Sequence, residues 1–343
     1  GRVVTGVVAG VVGRVVAGVV GCGVTGVGAA VVVVSAVVVV SEIVEVGPTG
    51  KFQTISQAIT FVRDNFRPTG DQDRRTIQVA GDASYAESIQ IIGGGTSPFP
   101  RNVTIKSVGT RPALIQGVGG QPVLNVQEVE SLTFSGFQIN GQGAKNVIRV
   151  AGHCPAIRFD SIEIRNFTGT GILLENVSGK AGAECLLSGV NIKGNASDAV
   201  GVLCQAAAGG NTSFVQLSNM RVVGPLQSGV EISGMFWNST IIDSSFFKCA
   251  TGIRFRGGTM LVVSLINNTF FKNQRAIVFA QVPDTGSSSL KVLHNLFQIS
   301  IIGDAVLEAG DSAAFTSMML SPTEGVHHNW TDRKDPDPQG IDL

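Results

Sequence analysis

The residues best placed to do chemistry in this 343-residue sequence are Asp160, Glu163 and Arg165, in the stretch FDSIEIR. Cleaving a glycosidic bond takes two carboxyls about 5–10 Å apart, and no such pair is read here, so these three residues would make only an atypical carbohydrate-active site. The other candidates are weaker. Asp243 is expected in the same column of a repeat as Asp160, but three coils away, roughly 14 Å. Glu163 has Gln138 and Asn191 as expected neighbours, and no second acid. Glu231 and Arg254 take equivalent outward positions on adjacent coils, which predicts an ion pair worth at most about 1 kcal/mol if exposed. His153, in GHC at 152–154, reads as a turn histidine. His327 and His328 near Asp332 offer metal ligands but read as an exposed tail. The five cysteines lie far apart, with no CxxC or CxxH pair, so neither a zinc site nor a disulfide framework is expected. The sequence predicts no metal and no cofactor.

Composition narrows the class. There are 25 basic and 25 acidic residues, so net charge offers no argument for nucleic acid, and none is expected as a partner. With 15% charged residues and 44 glycines, the chain is too apolar for disorder and too glycine-rich for a helical bundle.

A repeat must position these residues. From residue 102 onward a polar position follows an apolar one at Ser135, Asp160, Ser188, Ser218, Asp243, Asn267 and His294. Four residues later come Ile139, Ile164, Ile192, Val222, Phe247, Phe271 and Gln298. A second strand recurs as NVIRV, GILLE, AVGVL, GVEIS, GIRFR and AIVFA, its apolar residues alternating as one buried face requires. A period of this length with several short strands per turn is a solenoid, whose coils stack at about 4.8 Å. In this frame Asn267 and Asn268 are turn residues, stacked between Ser244 and Asn295. The frame also leaves Phe246, Phe270 and Phe297 as an outward apolar column, a candidate binding surface for a partner.

Ahead of the repeat, TGKFQTISQAITFVRDNF predicts a helix. Thr54 and Gln57 form a capping box, Ile55, Ala58, Ile59, Val62 and Phe66 make one apolar face, and Pro68 stops it. The segments VGPTGKFQTISQAI and SYAESIQI resemble the opening of pectin methylesterase-type proteins of the pectin-lyase-like group. The resemblance covers roughly residues 46 to 92. It implies a right-handed parallel β-helix whose end is capped by the helix, with Tyr85 and Glu87 as features of the fold. The esterase motifs further along that family are not found here.

Residues 15–40 pass without a charge and are almost wholly Val, Gly and Ala. As a helix that run exceeds a hydrocarbon core of about 30 Å, which predicts a membrane span. Arginines before it and Glu42 and Glu45 after it place the remainder in the periplasm or extracellular space. Val-rich strands are the competing reading.

The expected architecture is therefore all-β. A membrane-spanning segment (1–45) is followed by the capping helix and entry (46–75), a right-handed parallel β-helix (76–310) and a polar, Pro-rich tail (311–343). The expected function is a non-catalytic, membrane-tethered module that binds a protein partner in a membrane complex, or a polysaccharide. A carbohydrate-active enzyme using Asp160, Glu163 and Arg165 is the alternative.

Overall fold

A computed structural model describes residues 41–68, 73–95, 98–207, 209–280 and 290–298, with the strands Ala305–Ala309, Gly325–His327 and Trp330–Thr331. The described strands form three parallel stacks, one on each side of a solenoid. The first runs through Ser41–Val46, Arg74–Ala80, Val103–Val108, Leu132–Ser135, Arg158–Asp160, Cys185–Ser188, Val215–Ser218, Phe236–Ile242, Met260–Ile266 and Leu290–Leu293. The second begins with Ser84–Ala86 and Ala113–Gln116 and continues through 137–140, 163–165, 191–193, 221–223, 245–247 and 269–271 to Leu296–Gln298. The third begins with Ile89–Ile92 and Leu124–Gln127 and continues through 148–151, 172–175, 200–205, 228–233 and 251–255 to Arg275–Phe279 and Ala305–Ala309.

The strands extend past the expected bounds of 76 and 310. Ser41–Val46 opens the first stack ahead of the helix, while Gly325–His327 and Trp330–Thr331 lie on the far ends of the first and second stacks. The described parts of the tail therefore continue the solenoid.

Alternation fills the interior. In the second stack Ile139, Ile164, Ile192 and Val222 lie in file and are fully buried. The file continues through Phe246, Phe270 and Phe297, also fully buried, their rings stacked 5.2 and 5.1 Å apart. Burying each such side chain contributes about 1.5–3 kcal/mol. Space for the rings comes from the third stack. A Cβ on Gly252 would lie 2.5 Å from the Phe270 ring and 2.6 Å from the Ala276 carbonyl oxygen.

Between the first and second stacks each coil turns on one left-handed residue. Gly136, Ser161, Gly189, Asn219, Asp243, Asn267 and His294 have φ between +51° and +77°. Their backbone N–H groups donate to the strand end of the next coil, as from Asn219 to Ile242, Asp243 to Ile266 and Asn267 to Leu293. Asp243, Asn267 and His294 thus belong with Gly136 and Ser161, one residue out of the expected frame. Asp243 accordingly does not share a column with Asp160, whose file runs through Ser188 and Ser218 to Ile242.

The helix Ile55–Asn65 forms as expected, with both halves of the Thr54–Gln57 capping box present and Ile55, Ala58, Ile59 and Val62 buried. Among the described residues no helix is long and apolar enough to cross a membrane. The run 15–40 lies outside the described residues.

Candidate functional site

The outer face of the second stack gathers most of the candidate chemistry. Each coil shows two outward residues there. One row reads Gln138, Glu163, Asn191, Arg221, Ser245 and Thr269, and the other Asn140, Arg165, Lys193, Val223, Phe247 and Phe271. Glu163 and Arg165 share this face because they are two residues apart on one strand. The Glu163 carboxylate accepts from Lys193 Nζ at 2.7 Å and from Gln138 Nε2 at 3.3 Å, so Gln138 and Asn191 do flank it as expected. Arg165 is half-buried, and its Nε is a covered donor with no hydrogen-bond partner. The Oδ1 of Asn191 is likewise a covered acceptor without a partner. Asn140 accepts from Asn166 Nδ2 and the Gln142 N–H, both at 3.1 Å.

Asp160 is not brought to this face. It ends a first-stack strand, and the left-handed turn at Ser161 separates it from Glu163. Its carboxylate accepts from Arg158 at 3.2 Å and from Ser161 Oγ at 3.3 Å. Among the described residues no cluster of His, Cys, Asp and Glu is arranged to hold a metal. His328 and Asp332 lie outside the described residues.

The phenylalanine column needs a correction. Phe246, Phe270 and Phe297 line the core and offer no surface. The outward aromatics are Phe247 and Phe271, half-buried, with rings 5.2 Å apart and 8° from parallel. Lys248 and Lys272, both exposed, hold their ammonium groups 5.1 Å from the centroids of these rings. These four residues and Arg221 were missed as candidates. The repeated FFK, at 246–248 and 270–272, was the available signal.

Other expectations resolve locally. Glu231 pairs with Arg254 at 3.9 Å and also with Arg256 at 3.1 Å; its own side chain is only 3% exposed, while the two arginines reach the surface at 29% and 48% exposed. His153 sits at the corner after the third stack, its N–H donating to Glu128 Oε2 and its Nδ1 3.1 Å from Ser178 Oγ. Cys154, Cys185, Cys204 and Cys249 are buried and free. Tyr85 and Glu87 are structural: the Tyr85 hydroxyl donates to the Ala80 carbonyl, and Glu87 holds the helix N-terminus.

No family model matches the chain, and no curated protein does. Among solved structures it is similar to an alginate lyase from Paenibacillus sp., at 14% identity and a TM-score of 0.64, over 85% of this chain and 95% of that one. It also aligns with the pectin methyl esterase of rice weevil, at 10% identity and a TM-score of 0.43, over 84% of this chain and 88% of that one. At such identity the alginate lyase match shows the fold alone, a parallel β-solenoid.

Proposed function

We propose that the outer face of the second stack binds an acidic polysaccharide, and that the solenoid is a binding or accessory module. The observation that carries this reading is Arg165, whose covered Nε has no hydrogen-bond partner among the described residues and which lies in register with a second cation, Lys193. Adjacent coils are about 4.8 Å apart, so the two charges repel. Glu163 is the acid available to them, and it is already held by Lys193 and Gln138. An added carboxylate would complete the charge balance, and the planar fork of arginine suits it. Hydrogen bonds to charged groups contribute about 1.5–3 kcal/mol each. Sugar hydroxyls complement the neighbouring amides of Gln138, Asn140 and Asn191. The similar alginate lyase is named for an acidic polysaccharide, in agreement with this reading.

Binding is placed ahead of turnover because Asp160 and Glu163 stand on different stacks, each with its own cation. The test is calorimetric titration with oligo-alginate, oligo-pectate and a neutral glucan at low salt. Acidic oligomers should bind and the neutral one should not, with Arg165→Ala weakening binding about tenfold or more. Equal affinity for the neutral glucan would overturn the proposal. Polymer breakdown that disappears in Glu163→Gln would replace it with the enzyme reading.

We further propose that residues 15–40 tether the solenoid to a membrane, outside the cytoplasm, where it would serve as an accessory subunit. The support is the uncharged apolar run in the sequence. Full-length protein extracted from membranes only by detergent would agree with this, and a soluble monomer would overturn it.

A further inference from the structure

Five successive coils of the second stack each carry one cation on or beside the outer face: Arg165, Lys193, Arg221, Lys248 and Lys272. The register fixes their order, since Arg165 pairs with Lys193, Arg221 lies beside Asn191, and the Phe247 and Phe271 that precede the two later lysines pair with each other. Lys248 and Lys272 are both left-handed, at φ +56° and +54°, and both exposed. Glu163 is the one carboxylate in these strand segments. The chain as a whole is neutral, so the ladder is a local concentration of charge.

We infer that an extended polyanion lies along the solenoid axis on this face, one acidic sugar per coil, from Arg165 to Lys272. The inference rests on the polysaccharide reading above and adds direction, register and the residues Arg221, Phe247, Lys248, Phe271 and Lys272. Its basis is geometric. Backbone hydrogen bonding fixes the rise between coils at about 4.8 Å, so the five cations span about 19 Å. A polymer crossing the stack sideways meets one short strand and one cation, whereas a polymer running with the axis meets all five. An extended polyuronate places charge at a comparable repeat.

The aromatic end has a role in this arrangement. With their faces turned to each other, the Phe247 and Phe271 rings present edges outward, and ring edges carry the positive end of the quadrupole. Cation–π contact, worth about 0.5–1 kcal/mol at an exposed site, holds each lysine beside its ring. Edges and ammonium groups together attract carboxylates, and Val223 offers apolar contact to sugar C–H groups.

The experiment is titration of the full chain with oligouronates from dimer to hexamer, using wild type, Arg165→Ala and the double variant Lys248→Ala/Lys272→Ala. Both lysines are exposed, so the fold should persist, which thermal unfolding checks. Wild-type affinity should climb with length and level off near the pentamer. The double variant should bind the dimer like wild type, lose about tenfold on the pentamer, and show a salt dependence shallower by about two ion contacts. A pentamer that binds no better than the dimer, or a double variant with unchanged length dependence, would overturn the axial track while leaving the Arg165 site intact. Single-stranded DNA binding as tightly as the pentamer would overturn the choice of a sugar polymer. If no oligouronate binds wild type, the underlying polysaccharide reading falls and takes the track with it.

Discussion

The backbone N–H of Ser244 donates to Oδ1 of Asn268, one coil further on, at 3.1 Å. The same side chain uses its Nδ2 to reach the Ile241 carbonyl at 2.9 Å. Asn295 repeats the pattern, accepting from the Asn268 N–H and donating to the Leu265 carbonyl. All three side chains are buried, at the inward position that Phe137, Ile162, Val190 and Met220 fill in earlier coils. Replacing Asn268 by Ala strands a buried donor and a buried acceptor, each costing about 1–3 kcal/mol. Asn268→Ala should therefore destabilise the protein by about 2–4 kcal/mol in urea unfolding. Its neighbour Asn267 is exposed and left-handed, so Asn267→Gly should leave the midpoint almost unchanged. Equal losses in the two variants would contradict the division between ladder and turn.

The paired phenylalanines predict a second contrast. Phe270 is fully buried between Phe246 and Phe297, whereas Phe271 is half-buried on the outer face. Phe270→Ala removes a core ring and leaves a cavity, at a cost of about 3–5 kcal/mol. Phe271→Ala should cost about 1 kcal/mol, mainly the stacking with Phe247. Denaturant midpoints of the two variants decide the assignment, and a larger loss for Phe271→Ala would reverse it.

That contrast marks where the sequence stopped being legible. The capping helix and the files through Ile139, Ile164, Ile192 and Val222 could be read directly, because turn and core residues there keep their usual characters. The frame slipped by one after Ser218. Up to that coil the outward residue ending the first-stack strand is Ser or Asp, so the step from apolar to polar marks the strand end. In later coils the position holds Ile242, Ile266 and Leu293. The step then falls one residue late, and the second-stack side chains of those coils are turned to the wrong face, while the third-stack strands GVEIS, GIRFR and AIVFA keep the expected alternation. Aligning Asp243 and Asn267 with Gly136 and Gly189, as left-handed turn formers, would have restored it. The cation ladder was hidden for another reason: a net charge of zero says nothing about where charges gather.

The buried thiols should be inert and should couple stability to pH. Burial pushes Cys154 up to about 11, and Cys204 and Cys249 up to about 12, while Cys185 is driven up by the same cause. The thiolate is the reactive form, so native protein at pH 8 should resist iodoacetamide at these four positions and react once unfolded. A folded pKa raised above the unfolded value of about 8.5 contributes stability that is whole below that pH and is lost as pH rises through about 11 to 12. Thermal unfolding should thus be insensitive to these thiols up to about pH 8.5 and weaken above it. Rapid native labelling of Cys204, found by peptide mapping, would mean that the core is open.

Glu87 should act as the latch between the capping helix and the first coil. One carboxylate oxygen accepts the Ile55 N–H at 2.9 Å, and the other accepts the N–H and the hydroxyl of Ser56. The first turn of a helix has no internal partners for its N–H groups and carries partial positive charge, so a buried carboxylate meets both needs at once. Thr54 already takes the Gln57 N–H, and hence the two caps divide the donors between them. Glu87→Ala should cost about 2–4 kcal/mol, and Glu87→Gln, which keeps one acceptor but loses the charge, about half that. Because the helix packs at the end of the described stack, the loss should be local. Hydrogen exchange should quicken across 55–65 and in Ser41–Val46, while the amides of Ile164 and Ile192 keep their protection. Uniformly faster exchange along the whole solenoid would instead show that the end coil and the middle coils unfold as one unit.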